Sequence, residues 1–104
     1  MARTTSAQFN DAYKVGPNLA NATQEEQLKM YAYAKLAKEE TPEKGGMFNP
    51  AAKYKYSAWE EMKKTGVTPD AADTKYVEFV KELFKKYGLK GDAKPEAKTI
   101  SGKW

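Results

Sequence analysis

Two lysines stand where apolar residues would be expected. Lys35 follows Tyr31 by four residues, and Lys55 follows Ala52 by three and precedes Trp59 by four. On an α-helix, residues three or four apart share a face, so each ammonium borders a stripe that carries an aromatic ring. A lysine in that position has two uses. Its stem can cover apolar surface while the ammonium reaches water. Alternatively, two such ammonium groups converge at the edge of a groove and hold an anion there. Lysine suits phosphate as a mobile point charge with three donors. A tyrosine beside it offers a face for stacking and a hydroxyl for a phosphate oxygen, and stacking of a base on an aromatic ring is worth ~1–3 kcal/mol. A ligand made of a base, phosphates and an apolar tail would use all of these groups.

Other chemistry is scarce. The chain of 104 residues has no cysteine and no histidine, which removes the thiol nucleophile, the commonest metal ligand and the commonest general base. The carboxylates Glu25/Glu26, Glu39/Glu40 and Glu60/Glu61 are adjacent in sequence, and adjacent residues do not share a helix face, so they read as solvated surface. There is no phosphate loop of the G-x-x-x-x-G-K-[ST] type and no G-x-G-x-x-G fingerprint. We therefore expect no enzyme, no catalytic residue and no metal. No apolar run approaches the ~20 residues that span a bilayer, and "MARTTSAQFND" has no apolar core of a secretory signal, so a cytoplasmic location is expected. The net charge of +4 suits a small anionic ligand but is weak for a nucleic-acid binder.

These groups require helices to position them, and the sequence predicts four, with no strand. The first runs from Ser6 to Val15, with Phe9, Ala12 and Tyr13 at helical spacing, and ends at Gly16-Pro17. The second begins at Thr23, where "TQEE" is a capping box, and fades near Lys38. The third opens at Asn49-Pro50 and closes at Gly66. In it "KYKY" alternates like a strand, yet its flanks are those of a helix. The fourth opens at Thr68-Pro69 and ends at Gly88. Its apolar stripe is the longest: Ala72, Tyr76, Phe79, Val80, Leu83 and Tyr87. Residues 1–90 are expected to form one domain. Residues 91–104, polar and without a period, are expected to be a mobile tail with Trp104 a disordered end residue.

Three segments, "EEQLKMYAYAKLA" (25–37), "KYKYSAWEEMKK" (53–64) and "ADTKYVEFVKELFKKYG" (72–88), resemble the acyl-CoA-binding protein family in order, spacing and helix count. The resemblance implies an all-α fold, a four-helix up-down-down-up bundle. It also implies a monomeric carrier and intracellular buffer pool that binds long-chain fatty acyl-CoA esters one to one. No cofactor, nucleic acid or stable membrane insertion would be involved. Matched residue by residue, Tyr31, Lys35 and Lys55 would hold the ribose 3′-phosphate and the adenine. Tyr76 would line the groove beside the pantetheine or acyl chain, Ala12 would lie against the CoA head, and Leu28 would add apolar contact. The chain departs from the family at three places. Ala34 stands where a second tyrosine is usual, with Tyr33 next to it but about 100° away around the helix. Tyr56 replaces a tryptophan, and Gly16 or Pro17 takes the place of a basic residue. A different reading keeps the mild positive charge and makes the chain a small nucleic-acid-binding helical module.

Overall fold

Helix starts in this chain are set by side chains that close the first turn. The computed structural model describes residues 4–42 and 50–104. Helix α1 (Ala7–Val15) begins at Ser6, whose Oγ accepts the amide of Phe9 at 3.0 Å. Helix α2 (Gln24–Lys38) has the expected capping box: the Thr23 amide donates to Glu26 Oε1 at 2.9 Å, and the Glu26 amide donates to Thr23 Oγ1 at 3.1 Å. Thr68 does the same for α4 (Pro69–Tyr87), accepting from the Ala71 amide at 3.1 Å. Helix α3 runs Pro50–Lys64. Its expected cap, Asn49, lies outside the described residues. Past its end Gly66 has φ +81°, a conformation that a Cβ would disfavour.

The fold is all-α. Among the described residues the only bridge of β type is an isolated one between Leu19 and Leu89. Helix α2 packs against both α3 and α4, while α1 packs on α4. Because it is enclosed by neighbours, α2 buries Met30, Ala32, Tyr33, Ala34, Leu36 and Ala37, and the half-buried Leu28, Tyr31 and Lys35 mark the strip it leaves open. The seam between α1 and α4 supplies the largest fully buried side chains, Phe9 and Val15 from α1 and Val80 and Leu83 from α4.

That seam also holds a carboxylate. Asp73 is 5% exposed, on the buried stripe of α4 that sequence periodicity assigns to apolar residues. Its Oδ2 accepts the Ser6 amide at 2.9 Å and its Oδ1 accepts the Ser6 hydroxyl at 2.6 Å. Hydrogen bonds to the charged form make such burial tolerable. Ser6 thus both caps α1 and anchors it to α4.

The expectation of a mobile tail over 91–104 is corrected. A fifth helix, α5 (Pro95–Ser101), packs on α1 and buries Ala97 completely. Its attachment is made by groups that carry no periodic signal. The Lys90 amide donates to the Asn18 carbonyl at 2.9 Å, and the Ala20 amide donates to the Gly88 carbonyl at 2.9 Å. The Asn18 side chain accepts from the Lys94 amide and donates to the Lys14 carbonyl, each at 3.0 Å. Trp104 is likewise docked, meeting Phe84 edge to face at 5.7 Å. Two turns of helix are too short to show a period, and main-chain bonds leave no trace in residue type.

Removal of the buried carboxylate should be costly. Asp73→Ala is expected to lower the stability by about 2 kcal/mol, as for lost hydrogen bonds to a charged group, read as a lower urea midpoint at unchanged slope. Ser6→Ala should lose less, and the double variant should lose less than the two single losses combined.

Candidate functional site

The strip left open on α2 is where the predicted residues meet. The Lys35 ammonium lies 5.7 Å from the centroid of the Tyr31 ring, one turn along the same helix. Lys55 reaches the same ring from α3, at 5.3 Å. Together Tyr31, Lys35 and Lys55 line a polar hollow of about 430 Å³ with Thr41, Pro42, Ala51 and Ala52. Two cations from two helices thus converge on one aromatic ring.

Lys35 is held from behind. Helix α2 ends in a Schellman turn: the Glu40 amide donates to the Lys35 carbonyl at 3.0 Å and the Glu39 amide to the Leu36 carbonyl at 3.1 Å. The turn places the Glu40 carboxylate 3.2 Å from the Lys35 ammonium. A partly solvated pair of this kind contributes about 1 kcal/mol or less, so it orients the lysine without fixing it. A phosphate dianion can replace it.

Next to this rim, an apolar groove of about 220 Å³ opens between α1, α2 and α4. Its walls are Tyr13 and Gly16 on the α1 side, Met30 and Ala34 on α2, and Tyr76 on α4; Tyr31, Lys35 and Lys38 stand at its mouth. Tyr76 is 3% exposed and packs on Phe9 at 4.7 Å and Tyr13 at 6.2 Å. Burial pushes its phenol well above the ordinary tyrosine value, with Tyr13 adding to the effect, so it stays a neutral donor. A Cβ at Gly16 would come within 3.0 Å of the Tyr76 hydroxyl. The constraint at Gly16 is one of space: its φ is −47°, which any residue adopts, and it sits in a 3-10 turn over Gly16–Asn18.

The remaining expected residues fall in different places. Leu28 lies at the seam of α2 and α3, lining a smaller hollow with Tyr54 and Lys55, so it adjoins the rim and not the groove. Ala12 has no exposed surface. It faces the interior beside Phe9 in the core between α1 and α4, and Tyr13 and Gly16 form the wall that Ala12 was expected to supply. Tyr33 is buried on another side of α2, where its ring meets Phe79 at 6.3 Å, so the groove keeps the space left by Ala34. Lys38 and Tyr13, not singled out from the sequence as site residues, also line the groove. The Lys38 ammonium lies 3.7 Å from the Tyr13 ring centroid. The signal in the sequence was the spacing of Lys38, three residues after Lys35. Among the described residues no cluster of acidic side chains could hold a metal ion, and no helix is long and apolar enough to cross a membrane.

Fold and site together define a small all-α ligand-binding domain with a cationic rim beside an apolar groove. Comparison with known proteins makes the class specific. Residues 6–80 match the family model described as acyl-CoA binding protein. Over 83 residues the chain is 40% identical to acyl-CoA-binding protein homolog 1 of Caenorhabditis elegans, covering 77% of this chain and 94% of that protein. Over 65 residues it is 37% identical to the acyl-CoA-binding protein of Saccharomyces cerevisiae, covering 61% and 72% respectively. The chain belongs to the acyl-CoA-binding protein family.

The Schellman turn offers a check on how Lys35 is placed. Glu39 has φ +55°, a left-handed conformation that costs a non-glycine residue roughly 1 kcal/mol. Glu39→Gly should raise stability by up to about 1 kcal/mol in urea unfolding and leave ligand affinity unchanged, since Glu40 still faces Lys35.

Proposed function

We propose that the protein binds long-chain fatty acyl-CoA esters one to one and serves as a cytoplasmic carrier and buffer pool for them. The observation that carries this reading is the convergence of Lys35 and Lys55 on the Tyr31 ring, directly beside an apolar groove. A CoA ester joins the same two features in one molecule: phosphates and a base at one end, hydrocarbon at the other. Joined through Tyr31 and Lys35, the rim and the groove together fall in the ~300–1,000 Å³ range of small-molecule sites.

The mechanism is sequestration. Lys35 and Lys55 meet the 3′-phosphate with charge-assisted hydrogen bonds, and Tyr31, which lies under both, offers its ring to the adenine. This contact fixes the register of the ligand. Apolar surface of the acyl chain then leaves water, at ~25 cal/mol per Å² removed. The thioester is protected by burial, and the chain supplies no cysteine or histidine to attack it. Release needs only the reversal of these contacts, which suits a buffer that exchanges its cargo.

Calorimetry tests the reading directly. Palmitoyl-CoA should bind with a stoichiometry of one and micromolar or tighter affinity. CoA alone should bind much more weakly and palmitate not at all. Equal affinity for CoA and palmitoyl-CoA would refute the carrier. Salt-sensitive binding of an oligonucleotide with no response to palmitoyl-CoA would favour the nucleic-acid module instead. Lys55 is exposed, so Lys55→Ala should weaken palmitoyl-CoA at least tenfold while shifting stability by no more than about 0.5 kcal/mol.

A further inference from the structure

The rim described above is not the only place where a cation meets a ring at this groove. One turn further along α2, the Lys38 ammonium sits 3.7 Å from the centroid of Tyr13, bridging α2 and α1. Both residues line the same groove as Tyr31 and Lys35. Lys38 and Lys35 are three apart on α2, so their stems rise from one rim.

Their partners differ. Lys35 is turned toward Glu40, and among the described residues no carboxylate pairs with Lys38. Its ammonium is held by the face of a ring that is itself 46% exposed. A cation lodged on a π face keeps donors available, and an incoming oxyanion can take them without first displacing a carboxylate. The α1 side supplies no cation of its own to the groove. Lys14 is exposed and takes no part in the wall, and at Gly16 even a Cβ would crowd the Tyr76 hydroxyl.

A CoA ester carries anionic charge at two separate places, the 3′-phosphate on the ribose and the 5′-diphosphate that leads to the pantetheine. The groove likewise has two cationic positions, each on its own tyrosine. The geometry points to Lys38, seated on Tyr13, as a second anion-binding position of the site, one that meets the 5′-diphosphate while Lys35 and Lys55 meet the 3′-phosphate. The inference rests on the acyl-CoA reading and deepens it, because it assigns different lysines to different phosphates.

The test uses three ligands with the full chain: palmitoyl-CoA, palmitoyl-dephospho-CoA, which lacks the 3′-phosphate, and palmitoyl-pantetheine, which lacks both phosphate groups. Lys38→Gln should weaken the first two by the same factor, about tenfold, as expected for loss of a hydrogen bond to a charged group. It should leave palmitoyl-pantetheine unchanged, and Lys38→Arg should keep most of the affinity. Lys55→Ala should show the complementary pattern, with its effect vanishing for palmitoyl-dephospho-CoA. Three results would overturn the inference: Lys38→Gln binding all three ligands as wild type, an effect that disappears with palmitoyl-dephospho-CoA, or an equal loss for palmitoyl-pantetheine. Failure of the wild-type chain to bind palmitoyl-CoA would instead remove the carrier reading itself, so the two failures are told apart before any variant is made.

Discussion

The structure depends on one buried carboxylate. Asp73 takes both the amide and the hydroxyl of Ser6, and Ser6 also caps α1. The three bonds make the start of α1 and the first turns of α4 a single unit. Everything on the α1 side of the site is referred to that unit. Phe9 packs on Tyr76, Tyr76 sets the space at Gly16, and Tyr13 follows Phe9 in a stacked pair. A hydrophobic seam alone could slide. A directional pair of hydrogen bonds to a charged group cannot do so without giving up both of those bonds in the interior.

Much of this was legible in the sequence because it rests on local rules. The caps at Ser6, Thr23 and Thr68 are decided by residues within one turn, and the stripe of α4 follows from a period of 3.6 residues. Lys35 and Lys55 drew attention because they interrupt apolar stripes, and the structure brings both to the Tyr31 ring. What escaped notice depends on distant partners. Asp73 sits on the buried stripe, and it is bonded there by Ser6, 67 residues away. Residues 91–104 looked structureless because Asn18 holds them through main-chain groups. Ala12 looked available because a helical wheel shows which face is apolar but not which part of that face a neighbouring helix covers.

The site illustrates a division of labour between helices. α2 is enclosed on most of its circumference, so its one open strip can be rigid and exposed together. It carries Tyr31, Lys35 and Lys38, while α3 and α1 each bring one partner to it, Lys55 and Tyr13. The polar groups stand at the mouth and the apolar ones within. That order suits a ligand whose charged end must remain near water.

The tether between Lys35 and Glu40 has a consequence for how salt acts on this site. Dissolved ions screen the attraction between the rim lysines and an incoming phosphate. They also screen the carboxylate that competes for Lys35, so part of the first loss is returned as the competitor loosens. Lys38, with no such competitor among the described residues, has nothing to return. For a phosphate ligand bound as proposed, the slope of affinity against ionic strength would therefore understate the number of cations in contact with it, and Lys38 would contribute more to that slope than Lys35.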